Sequence, residues 1–265
     1  MKEPIVDDAV TDQEKSFPFE DLLKLDYFRK YRHAWYRYPE IRMHIPPRNY
    51  INLLRYLSEI KEYNGQHANA FAKNLRTAGS DWRNSEAVFS EIIVYRYYLR
   101  LVYEGIIRSL DFDRSECDVI VERLDGSKSY LEIFCVMPNL KRSTPDTVVV
   151  NKIGALTQEE FSSIRQKLLR KIQTQRQMSK SRENFAVIEL NDVSIAGDFS
   201  VLSSLSSGWK IWIDRETMKG VDAGYDWRGS VFEDECTRHL KGIIYFDLGD
   251  YGSRRFLMNP YFQTT

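Results

Sequence analysis

Hydrophobic positions between residues 85 and 106 follow a helical period. Ile92, Tyr95 and Leu99 recur at spacings of three and four residues and form one apolar face. Residues that favour helix N-termini precede this face, so we predict a helix that begins after Asn84 or Ser85.

The period then changes from helical to alternating. Residues 118–122 and 130–136 are short apolar runs, and the Asp125-Gly126 pair between them is a strong turn signal. We therefore predict that the two runs pair as an antiparallel hairpin. The second run is apolar at successive positions, as expected for a strand that is covered on both faces of a sheet.

A second amphipathic helix is predicted at residues 158–180. Thr157 and Glu160 form the capping pattern that opens such a helix, and its remaining faces are strongly basic. Its apolar stripe should pack across the sheet and consists of Phe161, Ile164, Leu168 and Ile172.

The order of the elements predicts an α/β fold in which a mixed sheet is flanked by helices. We place this core in residues 81–265. Residues 1–80 are predicted to form an acidic tail and then a helical extension that is rich in aromatic and basic side chains. Further strands are expected at residues 185–190, 209–213 and 242–246.

Composition narrows the choice of function. The formal net charge is zero, so no overall field attracts or repels polyanions. The three cysteines are odd in number and far apart, so neither a disulfide framework nor a cysteine-rich zinc site is expected. The sequence lacks a phosphate-binding loop, a dinucleotide-binding glycine pattern and the signatures of zinc proteases and serine hydrolases. The N-terminus lacks the apolar core of a signal peptide and no stretch is long enough to span a membrane, so we expect a cytoplasmic protein without membrane contact.

Three carboxylates are candidates for chemistry. Glu91 borders the apolar face of the first helix, Asp118 opens the hairpin, and Glu132 lies in the middle of its second strand. Because a free charge is costly in an apolar strand, Glu132 needs a cation, a hydrogen-bond partner or a metal. Two interpretations stay open. Asp118 and Glu132 hold a hard cation such as Mg²⁺ or Mn²⁺, or Glu132 forms a structural ion pair with an Arg or Lys of the basic helix.

These residues and the order of their elements resemble the PD-(D/E)xK nuclease superfamily, which has the restriction-endonuclease-like fold. The core of that family is a helix carrying Glu, a hairpin carrying Asp and then Glu-x-Lys, a second helix and a further strand. The resemblance covers roughly residues 85–260 and matches Glu91, Asp118 and Glu132 to the three acids. It implies metal-dependent hydrolysis of nucleic-acid phosphodiesters, with Asp118 and Glu132 as ligands of Mg²⁺ or Mn²⁺ and Glu91 as an accessory ligand.

Phe134 occupies the position of the family's Lys, where it can neither orient a water molecule nor neutralise charge. Some family members carry this Lys on a neighbouring element, and Lys167 and Lys171 of the basic helix are the candidates here. The alternative is a catalytically inactive member that serves nucleic-acid binding or protein assembly. A third hypothesis is a protein-interaction module that docks partners through its aromatic N-terminal region.

Basic side chains interleaved with aromatic rings indicate where nucleic acid would bind. Rings can stack on unpaired bases while Lys and Arg contact phosphates, and residues 27–38 combine both kinds of side chain. The same rings can also pack this region against the core. We expect DNA ahead of RNA as the partner, and the candidate phosphate contacts are Arg29, Lys30, Arg32, Arg37, Arg165, Arg170 and Lys171.

Overall fold

A computed structural model describes residues 19–25, 50–79, 81–112, 117–136, 158–174, 182–190, 205, 209–246 and 254–263. The α-helices in these residues are α1 (Tyr50–Tyr63), α2 (Gly65–Ala78), α3 (Trp82–Tyr103) and α4 (Gln158–Thr174). The strands are β1 (Ile107–Asp111), β2 (Val119–Arg123), β3 (Lys128–Val136), β4 (Glu183–Leu190), β5 (Trp209–Ile213), β6 (Gly220–Tyr225), β7 (Leu240–Phe246) and β8 (Arg254–Met258). Short 3₁₀ helices lie at Glu20–Lys24, Val231–Glu233 and Glu235–Thr237.

Within these residues, six strands form a mixed sheet in the order β1-β2-β3-β4-β7-β8. β1, β2 and β3 are antiparallel neighbours, β4 lies parallel to both β3 and β7, and β8 is antiparallel to β7. α4 lies between β3 and β4 in the chain, where two parallel neighbours require a long crossover. β5 and β6 form a separate two-stranded ribbon. The predicted α/β class, with a mixed sheet flanked by helices, is confirmed.

The predicted hairpin is confirmed as β2 and β3. Val119 pairs with Leu131, and Glu122 pairs with Lys128 next to the turn. The loop between the strands places Gly126 at φ 83°, a left-handed conformation that glycine adopts without steric cost. The turn signal in the sequence therefore acts through the backbone freedom of this glycine.

The two faces of the sheet carry different helices. Side chains alternate between the faces along each strand, and Val121 and Leu131 share one hydrophobic core with α1, α2 and α3. On the opposite face, Ile188 and Phe134 pack in a second core with Leu168 of α4. Even-numbered residues of β3 therefore face α4.

α3 begins earlier than the sequence predicts. Its first residue is Trp82, whereas the prediction placed the start after Asn84 or Ser85. Asp81 supplies the cap, because its Oδ1 accepts a hydrogen bond from the Asn84 backbone amide at 3.4 Å. The predicted start was therefore wrong by a few residues, and the capping side chain comes from the preceding acid.

The basic helix is confirmed over Gln158–Thr174, and residues 175–180 lie outside the described residues. Leu168 and Ile172 are buried against the sheet, as the apolar stripe predicts. Thr157 and the side chains of Phe161 and Ile164 also lie outside the described residues. The second half of the helix is thus anchored on the sheet.

The sequence pattern does not predict β1, β6 or β8. β1 reads Ile-Arg-Ser-Leu-Asp, and only Ile107 and Leu110 are buried in it. So short and mixed a run lacks the alternation that identifies a strand. Its strand conformation depends on the pairing with β2, which is a tertiary contact.

The helices before α3 contribute to the same core as the sheet. Leu57 of α1, Phe71 of α2 and Tyr95 of α3 belong to one cluster of buried side chains. The domain boundary between residues 80 and 81 stays a prediction. None of the helices in the described part of the chain is both long and apolar enough to cross a membrane.

Candidate functional site

Asp118 stands directly before β2 and is held in the sheet by two hydrogen bonds. Its backbone amide donates to the carbonyl of Leu131 at 3.1 Å. Its Oδ2 accepts a hydrogen bond from the Ile133 amide at 2.7 Å. The residue is only 8% exposed, so the backbone of β3 fixes the orientation of a buried carboxylate.

Glu132 lies in the middle of β3 on the face toward α4. The residue is 2% exposed, and its Oε1 lies 2.6 Å from the Nζ of Lys171. A close cation offsets part of the cost of removing a carboxylate from water. The predicted need of Glu132 for a cation is thus met by a lysine of the basic helix.

Lys171 joins α4 to both carboxylates. Its Nζ lies 2.6 Å from Oε1 of Glu132 and 3.9 Å from Oδ2 of Asp118. The same ammonium donates a hydrogen bond to the carbonyl oxygen of Ile133 at 2.9 Å. Three oxygen atoms from two neighbouring segments therefore surround one point, and the ammonium of Lys171 occupies it.

Phe134 forms an apolar wall beside this ammonium. It follows Glu132 by two residues and shares its face of β3. The Nζ of Lys171 lies 4.4 Å from the centroid of the Phe134 ring, a distance at which the ring attracts a cation. Phe134 thus contacts a lysine that comes from α4.

The structure distinguishes Lys171 from the other predicted candidates. Lys167 lies one turn earlier on α4 and is exposed, whereas the side chain of Lys171 is only 28% exposed. Glu91 is half-buried on α3, which packs against the opposite face of the sheet from α4. The residues that the described contacts bring together are Asp118, Glu132 and Lys171.

The oxygen atoms around the Lys171 ammonium suit a hard divalent cation. Mg²⁺ and Mn²⁺ prefer oxygen ligands, and Mg²⁺ is typically held by one or two carboxylates with water and substrate. Asp118 and Glu132 supply the carboxylates, and Ile133 adds a main-chain carbonyl. Among the residues described, no group of three or more His, Cys, Asp or Glu side chains could hold a metal. A metal here would rely on two carboxylates.

The thiol of Cys117, which directly precedes Asp118, has low reactivity. Burial raises the pKa of Cys117 to about 12, and the charges of Asp118 and Glu132 act in the same direction. The thiol also donates a hydrogen bond to the carbonyl of Val119 at 3.2 Å. Because the thiolate is the reactive form, this raised pKa keeps Cys117 in its less reactive thiol form at neutral pH.

The residues predicted to contact phosphate differ in exposure and in their contacts with the rest of the protein. Arg165 donates hydrogen bonds to the carbonyl oxygens of Gly229 and Ser230. Its guanidinium is therefore engaged with the protein's own backbone and braces α4 against that loop. Arg170 lies on α4 and is exposed. Lys171, also a predicted contact, is paired with Glu132. The predicted contacts that lie outside the described residues are Arg29, Lys30, Arg32 and Arg37.

Sequence reasoning missed another buried acid in the sheet, Glu189 of β4. It is 1% exposed and accepts a hydrogen bond from the Ser90 hydroxyl of α3. Glu189 lies on the opposite face of the sheet from Glu132, because Ala186, three positions earlier, pairs with Glu132. A signal was available, since Glu189 interrupts an apolar strand-like run just as Glu132 does.

No protein-family model, curated protein or solved structure matches this chain. The contacts among Asp118, Glu132 and Lys171 therefore carry the functional conclusion.

Proposed function

We propose that this protein acts on nucleic acid as a metal-dependent phosphodiesterase of the PD-(D/E)xK type. The observation that carries the proposal is the meeting of two carboxylates and one ammonium from separate elements. The Nζ of Lys171 lies within 3.9 Å of both Asp118 and Glu132. Removing such charges from water costs stability, and costs of this kind are typical of functional sites.

The order of the elements supports a restriction-endonuclease-like arrangement as part of this proposal. α3, the β2–β3 hairpin, α4 and the parallel strand β4 come in this order along the chain, as in the core of that family, with β1 between α3 and the hairpin. Asp118 and Glu132 belong to the hairpin, and Glu91 belongs to the helix before it. Phe134 is the departure from the family pattern, and Lys171 supplies a cation from α4 instead.

Each residue of the site has a role in this proposal. Asp118 and Glu132 would hold Mg²⁺ or Mn²⁺, whereas Glu91, on the helix against the opposite face of the sheet, is assigned no role. Such a metal, when bound, activates a water molecule and stabilises the charge that develops on a phosphodiester. The Ile133 amide keeps Asp118 oriented. Lys171 brings positive charge to a place that must receive a phosphate.

Nucleic acid is the proposed substrate because the helix that carries Lys171 also has a basic exposed surface. Lys167 and Arg170 are exposed on α4, both within about one turn of Lys171. Side chains in these positions can contact phosphates that flank the one being cleaved. DNA is proposed ahead of RNA.

A catalytically inactive subunit that binds nucleic acid or assembles with proteins is the second candidate. Phe134 favours it, because its ring contacts the ammonium where the family has its own Lys. The ion pair between Lys171 and Glu132 also favours it, since the pair neutralises the carboxylate without a metal. Cleavage of a substrate separates the two candidates.

A cleavage assay tests the enzyme directly. Single- and double-stranded DNA and RNA are incubated with the wild-type protein in Mg²⁺ or Mn²⁺, and metal-dependent products are expected. Asp118→Ala and Glu132→Gln should lower the cleavage rate by about a hundredfold. Even the loss of a residue that only hydrogen-bonds to a metal ligand typically costs about 10–100-fold in metal affinity or activity. Asp222→Ala, at an exposed acid of β6, is the matched control and should cleave like the wild type. Absence of cleavage with every substrate and both metals would refute the proposed phosphodiesterase activity.

Binding as a function of salt tests the nucleic-acid partner. The double variant Lys167→Ala, Arg170→Ala should bind duplex DNA more weakly. Its slope of log affinity against log salt should be about 2 units flatter, because each lost phosphate contact removes about 0.9. Salt-dependent binding without cleavage would favour the inactive subunit. Binding that is absent at low salt would favour a protein-interaction module.

A further inference from the structure

The ammonium of Lys171 occupies the point on which the oxygens of the site converge. It lies 2.6 Å from Glu132 Oε1, 2.9 Å from the Ile133 carbonyl oxygen and 3.9 Å from Asp118 Oδ2. We propose that Lys171 is a displaceable resident cation, which competes with a divalent metal for the position between the two carboxylates. Metal binding then requires Lys171 to release Glu132. This inference rests on the proposed metal site and adds that Lys171 controls how tightly the metal binds there.

Competition follows from distance and charge. A divalent cation that binds carboxylate oxygen sits about 2.0–2.6 Å from it, and the ammonium already lies 2.6 Å from Oε1 of Glu132. Two cations at such distances from one oxygen would repel each other strongly in a site that excludes most water. One ammonium leaves two carboxylates with a net charge of −1, whereas a divalent ion neutralises them fully. Exchange of the ammonium for a divalent ion is therefore favourable electrostatically.

Lys171 is able to leave, because its position is not required for the packing of its helix. α4 is anchored on the sheet by Leu168 and Ile172, which are 2% and 4% exposed. The side chain of Lys171 keeps 28% of its surface in water and has a flexible four-carbon stem. Glu132 is buried in β3 and has no comparable freedom. The lysine is thus the mobile partner and the carboxylate is the fixed one.

The exchange makes Lys171 both a stabiliser of the metal-free protein and a barrier to metal binding. Without metal, its ammonium neutralises Glu132. With metal, the ammonium releases Glu132 but stays on the basic helix beside the site, as its proposed role toward a phosphate requires. A variant that lacks the ammonium should therefore bind metal more tightly, although it is less stable without metal.

Titration of the full-length protein with Mn²⁺ tests this prediction. Free Mn²⁺ is measured by its electron paramagnetic resonance signal, and the melting temperature is recorded at each concentration. Lys171→Met should bind Mn²⁺ about tenfold or more tightly than the wild type, a typical size of coupling between ligands. Lys167→Met removes the same charge from an exposed position one turn away, and its affinity should stay within about twofold of the wild type. Glu132→Gln combined with Lys171→Met should lose the tight binding.

The outcomes separate this inference from the proposed function. If the wild type and Lys171→Met bind Mn²⁺ equally well, or if the variant binds more weakly, the competition is refuted while the metal site stands. If neither protein binds Mn²⁺, the metal site and the proposed function fail as well. If Lys171→Met unfolds without metal, recovery of its native circular dichroism at lower Mn²⁺ than stabilises the wild type supports the exchange. Failure to recover at any such concentration overturns it.

Discussion

The Lys171–Glu132 ion pair should contribute unequally to stability depending on which partner is removed. Glu132 is 2% exposed, so Lys171→Met leaves a buried carboxylate without its close cation. Breaking a buried pair in this way costs about 3–5 kcal/mol. Because the Lys171 side chain is 28% exposed and admits some water, we expect the lower end, about 3 kcal/mol.

The reverse change should cost less. In Glu132→Gln, the ammonium of Lys171 keeps its hydrogen bond to the Ile133 carbonyl and can turn its charge to solvent. We expect a loss of about 1 kcal/mol, the size of one ordinary hydrogen bond. The double variant should lose about 2 kcal/mol, which leaves a coupling energy of about 2 kcal/mol between the two side chains.

Urea unfolding in EDTA measures all four proteins of this double-mutant cycle. For a chain of this size, about 3 kcal/mol corresponds to a fall in melting temperature of roughly 6–12 °C, which calorimetry would also detect. A coupling energy below about 0.5 kcal/mol would refute the reasoning, because residues without direct interaction show no more than that. Equal losses in the two single variants would refute the assignment of Glu132 as the fixed partner.

Two further predictions concern the stability of the sheet, at Gly242 of β7, and of the helical region, at His67 of α2. Gly242→Ala should destabilise the protein by about 1–3 kcal/mol in urea unfolding, because its Cβ would lie 2.8 Å from the main-chain carbonyl oxygen of Leu257. Gly65→Ala, where a Cβ meets nothing within 4 Å, is the control and should be neutral or stabilising. Burial lowers the pKa of His67 despite the nearby carboxylate of Asp111, so its stability contribution is present above the unfolded pKa near 6.5 and is lost as pH falls below it. The unfolding free energy of His67→Gln should therefore fall less than that of the wild type between pH 7 and 5, and equal slopes would contradict this.

Local sequence patterns were sufficient where a structural feature depends on neighbouring residues. Asp125-Gly126 predicted the β2–β3 turn, and the observed φ of Gly126 gives the physical reason. The spacing of Leu168 and Ile172 predicted which side of the basic helix meets the sheet. Local patterns failed at the start of α3, because Asp81, Asn84 and Ser85 can each cap a helix and Asp81 does so here. They also failed for β1, whose conformation requires the partner strand.

The sequence also identified Glu132 as a carboxylate that requires a cation, because an acid inside an apolar strand has few other solutions. The same reasoning applies to Glu189, which went unrecognised because it belongs to no motif of the resemblance. Buried acids within apolar runs are therefore detectable without any family pattern. What the sequence leaves open is the identity of their partners, since those come from distant segments.

The choice between Lys167 and Lys171 shows the division between sequence and tertiary structure. The helical period places both lysines one turn apart on a basic helix, and the resemblance made both of them candidates for the displaced cation. Packing of Leu168 and Ile172 on the sheet decided that Lys171 reaches Glu132 while Lys167 points to solvent. The sequence thus determined the β2–β3 hairpin, the basic helix and the charges they carry, because these depend on local spacing. Only the tertiary structure decided which charges meet, because that depends on how separate segments are rotated and paired.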